Sequence, residues 1–102
     1  MRTYRLIYSH ASLGDLDDMV AYITSIRTLE SALRYKDRVI RQLESLTCAA
    51  DTFPYSRKHS IRLIHPKAKT LSIMNHKRTV VFHIEDEFVM VDRIFVAKMI
   101  TD

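Results

Sequence analysis

The chain has 102 residues, a formal net charge of +4 and 47% hydrophobic residues. That is one domain, residues 1–102, with enough apolar side chains for a single core and too many for disorder. Cys48 is the one cysteine. It excludes an intrachain disulfide, and no Cys/His cluster has zinc spacing, so no metal and no cofactor is expected. The charged start Met1-Arg2-Thr3-Tyr4-Arg5 precedes an apolar run too short for a signal peptide. No stretch approaches the ~18 apolar residues of a membrane span, so a cytoplasmic protein without a membrane partner is expected.

One glycine and two prolines leave little room for linkers, so regular elements joined by short connections are expected. Thr3 to Ser9 alternates in the manner of a half-buried strand. Ser12, with Asp15 three residues on, reads as a capping box for a helix running to about Ser25. Its apolar positions are Leu13, Leu16, Val20 and Ile23. Thr28 is the expected cap of a second helix with a stripe through Leu29, Ala32, Leu33, Val39, Ile40, Leu43 and Leu46. Glu30→Arg34 and Asp37→Arg41 are favourable pairs on its solvated back. Cys48 reads as a small buried filler at a helix end.

Asp51-Thr52-Phe53-Pro54 breaks the helical region, with Phe53 and Tyr55 expected to fold back onto the core. The remainder reads as β-rich. Ser60 to His65 is expected to be extended, and Thr70 to Met74 is a short strand. Arg78 to Ile84 and Phe88 to Val96 are the strongest strands. Their apolar runs suit central positions covered on at least part of both faces. Glu85-Asp86-Glu87 is the expected three-residue hairpin loop. The predicted architecture is α+β: an N-terminal strand, a helical hairpin, then a three-stranded antiparallel sheet.

Charge is unevenly placed. Residues 1–51 hold seven basic and seven acidic residues, residues 52–102 nine and five. Between Thr52 and Ile84 there are no acids. That stretch holds Arg57, Lys58, Arg62, Lys67, Lys69, Lys77 and Arg78, and also His59, His65, His76 and His83. A block of one sign predicts an anionic partner, either nucleic acid or an acidic peptide.

Several strings sharpen the reading. Ala11, Asp15, Leu16, Met19, Tyr22 and Ile23 fall on the pattern that opens the RelE/ParE toxins, a first strand leading through Ala into D-L-x-x-I-x-x-Y-I. Val80-Val81-Phe82-His83-Ile84-Glu85-Asp86-Glu87-Phe88-Val89-Met90-Val91 looks like that family's hairpin. Arg93-Ile94-Phe95-Val96-Ala97-Lys98-Met99 stands where the family often has R-I-L-H-x-R-M-D. The chain thus resembles a RelE/ParE-type toxin over nearly its whole length, nearer the ParE-like branch. It departs at Val96 for the family's His, Lys98 for Arg, His83 for Arg and Phe82 for Tyr, and no tyrosine follows Tyr55.

The resemblance implies the toxin of a type II toxin–antitoxin, or plasmid stabilisation, module. A cognate antitoxin would neutralise it and would itself make any contact with operator DNA. Its target would be DNA gyrase, trapped by binding, if ParE-like. It would be ribosome-bound mRNA, cleaved without metal, if RelE-like. An inactive relative is the third option. Cleavage needs cations for the phosphate charge and groups that move protons near neutral pH. Arg62, Arg78 and Lys98 are the candidate cations, and His76 and His83 the candidate proton carriers. Arg57, Lys58, Lys67, Lys69, Lys77 and Arg93 complete a candidate basic binding surface. An antitoxin strand is expected to add to an open sheet edge at Tyr4–Ser9 or Thr70–Met74.

Overall fold

A computed structural model describes residues 3–99, so the charged start at Met1 and Arg2 lies outside the described residues. In chain order the elements are β1 (Arg5–Tyr8), α1 (His10–Ile26), α2 (Leu29–Leu43) and the short α3 (Leu46–Ala49). A 3-10 turn at Ala50–Thr52 and the short α4 (His59–Arg62) follow. Then come β2 (Lys69–Ile73), β3 (Arg78–Glu85), β4 (Phe88–Val96) and a last 3-10 turn at Ala97–Met99.

The strands form one sheet in the order β1-β4-β3-β2. β2, β3 and β4 pair antiparallel as expected, and β1 joins β4 in parallel. The sheet is therefore four-stranded and mixed. α1 and α2 carry the chain back between β1 and the hairpin strands, and this return is what allows a parallel pair. Both predicted strands of the hairpin are central, and Val80, Val81 and Phe82 are all fully buried.

The main core lies between the helical hairpin and the sheet. Leu16, Met19, Ala32, Val39 and Leu43 meet Val80, Phe82, Val89, Val91 and Ile94 there. Phe53 folds back as predicted, edge-on to Phe82 at 5.8 Å. Tyr55 does not: it is 61% exposed, with the Lys69 ammonium over its ring. A smaller core of Ile61, Ala68 and Val81, with Phe95 against it, lies on the opposite face of the sheet.

Local signals place most ends. Thr28 caps α2 as predicted, its Oγ1 accepting the Ser31 amide at 3.0 Å. The cap of α1 is Ser9, not Ser12. Ser9 Oγ accepts the Ser12 amide at 3.0 Å, and Ser12 Oγ donates to Ser9 O at 2.9 Å inside the first turn. Ser9 wins because it ends β1: its amide still donates to Val91 O and its hydroxyl to Asp92 O. Ser60 to His65 is not extended. The chain turns into α4 and brings Ile61 onto the back of the sheet. The hairpin loop is two residues, Asp86-Glu87, since Glu85 still pairs with Phe88, and Asp86 is left-handed with φ 54°. Cys48 is exposed rather than buried.

Candidate functional site

A groove of about 880 Å³ lies between α1, Tyr35 of α2, the β2–β3 turn and the last residues of β4. Amphipathic spacing turns Met19 into the core, while Asp15, Asp18 and Tyr22 border the groove one turn apart. Tyr35 forms the α2 wall. His76, Lys77 and Arg78 come from the turn and the start of β3, and Arg93 to Lys98 from β4 and the turn after it.

Two contacts hold cations at the groove. Arg78 lies with its guanidinium 5.5 Å from the Tyr35 ring centroid, and its Nε donates to the Tyr35 hydroxyl at 3.4 Å. Arg93 donates from Nε and from an Nη to the Asp15 carboxylate, both at 2.9 Å, and lies over the Phe95 ring. The same Asp15 carboxylate accepts the Ile94 amide at 2.8 Å. That hydrogen bond to Asp15, with the carboxylate's charge behind it, holds Arg93 more firmly protonated than an ordinary guanidinium, against an opposing effect of burial. Asp92 and Glu85, acids near Arg93 in sequence and in the hairpin, face His83 instead. Asp15 serves Arg93 and β4 rather than a capping box.

The β2–β3 turn is made of left-handed residues, Met74, Asn75 and His76, with φ between 54° and 66°. Gln42 of α2 accepts the Met74 amide at 2.8 Å, and His76 Nδ1 lies 2.9 Å from Ser72 Oγ. A turn tied at both ends presents His76 and Lys77 at a fixed place on the groove's rim.

A second groove of about 500 Å³ lies on the other side of the sheet. Ser56, Thr70, Ser72 and Thr79 supply hydroxyls along it, beside Tyr55, Arg57 and Lys58.

The five candidate catalytic residues are not gathered into one site. His76, Arg78 and Lys98 share the large groove, whereas Arg62 and His83 border neither groove. His83 is buried, with Nδ1 2.6 Å from Asp92 Oδ2 and Nε2 3.2 Å from Glu85 Oε2. Both ring nitrogens are engaged, so His83 is not open to substrate. Of the expected binding residues, Lys77 and Arg93 border the large groove, and Arg57 and Lys58 the small one. Lys67 borders neither groove, and Lys69 is buried against Tyr55. Sequence reasoning passed over Tyr35 and Phe95 as functional residues. Tyr35 is adjacent to the α2 stripe, and only the crossing of α2 over Arg78 gives it a role.

The large groove joins apolar walls to a rim of exposed Lys77, Lys98 and His76 and half-buried Arg78. That combination suits a segment bearing carboxylates and apolar side chains. Among the described residues no group of three or more His, Cys, Asp or Glu is placed to hold a metal ion. No described helix is long and apolar enough to cross a membrane.

No family model matches the chain. No curated protein matches it either. Among solved structures it is similar to a chain described as the chromosomal ParDE TA system from P. aeruginosa, with a TM-score of 0.78 and 17% identity. The match covers 92% of this chain and 96% of that one. At that identity the likeness is one of fold. The order of strand, helical hairpin and sheet is the one that the strings at Tyr4–Ile23 and Val80–Val91 implied, and the chain has the RelE/ParE-like fold.

Proposed function

We propose that this chain is the toxin of a type II toxin–antitoxin pair, and that it acts by binding, as a ParE-like poison of DNA gyrase. The likeness of fold to a chain of a ParDE TA system supports the first part. The observation that carries the second is the separation of the candidate acid–base groups. His83 is buried between two carboxylates and borders neither groove, while Arg78, Lys98 and His76 lie along the large one. Metal-free cleavage needs a proton acceptor, a proton donor and a cation around one phosphate. A binding poison needs only a complementary surface.

In this reading the cognate antitoxin covers the large groove with an acidic, partly apolar segment that orders on binding. Operator DNA is contacted by the antitoxin. The protein acts in the bacterial cytoplasm and serves plasmid or locus maintenance by arresting growth when the antitoxin decays.

The test is induced expression without the antitoxin. DNA breaks and filamentation with translation intact are expected. Translation arrest without DNA breaks overturns the gyrase reading in favour of a RelE-like ribonuclease. One observation favours that alternative: Arg57 and Lys58 stand beside the hydroxyl-rich second groove, where His76 reaches Ser72. If ribosome-bound message is cleaved, a His76→Ala/His83→Ala double variant with full activity would exclude those two histidines as the proton carriers.

A further inference from the structure

The back face of the sheet carries a cluster that neither groove uses. His83 shares the side of β3 that carries Val81, and it is 6% exposed. The His65 ring lies flat against it, with centroids 3.7 Å apart and planes within 5° of parallel. His65 Nδ1 accepts the Lys67 amide at 3.0 Å. The charged groups facing this pair come from each neighbouring element. Glu85 is on β3, Asp92 is at the irregularity of β4, and Lys67 is in the turn before β2. Arg93, next on β4, is engaged by Asp15.

The hydrogen inventory of this cluster is constrained. A ring nitrogen facing a carboxylate is satisfied only when it carries hydrogen. Both nitrogens of His83 face carboxylates, so the imidazolium satisfies the site. His65 must keep Nδ1 bare to accept from Lys67, so its hydrogen sits on Nε2 and the ring is neutral. One cation stacked on one neutral ring is attractive. A second proton, on His65, places like charges in contact and removes the acceptor for the Lys67 amide.

We propose that the His65–His83 stack is a proton-operated latch for residues 54–68. It holds while His83 alone is charged and lets go when His65 is charged as well. The movable partner is the turn, because His83 sits in a central strand whose neighbour β4 is fixed by Ser9 and Asp15. Through the turn, His65 holds Ile61 and Ala68 against Val81 and Phe95. Ala68 O accepts the Ser56 amide at 2.8 Å, which ties in the Arg57–Lys58 lip of the second groove. Acid therefore loosens that lip and uncovers the small core, while the main core and the large groove stay as they are.

Nitrogen-15 NMR of the imidazoles, with amide hydrogen exchange, reads the latch in the wild-type protein between about pH 7.5 and about pH 5. His83 is expected to carry hydrogen on both ring nitrogens where the latch holds, and His65 to pass from the Nε2–H form to the cation where it lets go. Protection of amides in 62–68 should fall roughly tenfold beyond the intrinsic change, while Val80 and Phe82 keep theirs. His65→Asn, which offers an acceptor to Lys67 and cannot charge, should hold protection constant across the same interval. A neutral His83 while the 62–68 amides are protected overturns the latch. So does unchanged wild-type protection, or acid loosening that persists in His65→Asn. The wild-type readings decide the matter even where the variant does not fold.

Discussion

Asp15 accepts two hydrogen bonds from Arg93 and one from the Ile94 amide. These bonds lie where β1 no longer covers β4, since the parallel pairing ends at Tyr8 and Val91. The Asp15 side chain is 12% exposed and that of Arg93 39%, so water screens the pair in part and its worth stays below that of a buried one. Asp15→Asn still offers the Ile94 amide an acceptor and should lose about 1–2 kcal/mol in urea unfolding at unchanged slope. Asp15→Ala leaves that amide without its partner and should lose more. Equal losses would mean that the amide bond contributes nothing. Tyr8 supplies a pH-dependent case. Burial, with the Glu44 charge adding to it, raises its phenol above the ordinary value. The folded state therefore favours the neutral form. Its contribution is complete below the unfolded value of about 10 and is lost as pH rises through the folded one. Tyr8→Phe should flatten the alkaline fall in stability above about pH 10, as followed by circular dichroism.

Capping separates what neighbouring residues settle from what distant ones settle. Thr28 stands alone before the α2 stripe, and its cap was legible. Ser9 and Ser12 both suit the start of α1, and the choice falls to Ser9 because β4 holds that residue through Val91 O and Asp92 O. Thr28→Ala should cost about 1 kcal/mol. Ser9→Ala should cost more, about 1–2 kcal/mol, because it also removes the bond to β4. Matching losses in thermal unfolding would show that this cross-link is worth nothing. The segment from Ser60 to His65 went the other way. It was expected to be extended, yet it does not add as a strand beside the edge strand β2. Turning into α4 buries Ile61 against Val81 instead.

At the scale of the molecule, the helical hairpin leaves the end of β4 uncovered and sets Tyr35 and Tyr22 opposite Arg78 and Lys98. The groove is therefore a product of how the layers are offset. Its cations Lys77 and Lys98 are exposed, and in the proposed function they meet the partner. Lys77→Glu/Lys98→Glu should slow association with an acidic antitoxin segment roughly tenfold at low salt and leave thermal unfolding nearly unchanged. The wild-type rate should fall with added salt, as stopped-flow mixing would show. A salt-independent rate would assign the complex to apolar packing.

The sequence by itself determined the α+β class, the two long helices, the central β3–β4 hairpin, and a basic, acid-free middle. Each follows from patterns within a few residues: apolar periodicity, caps, and the spacing of charges. Tertiary structure alone decided that β1 runs parallel to β4, that Asp15 belongs to Arg93, and that His65 lies on His83. It also decided that the candidate cations and histidines divide between the two faces of the sheet. Those outcomes join residues as far apart as 83 positions, as in Arg5 and Phe88, and one-dimensional periodicity carries no record of which strand faces which loop.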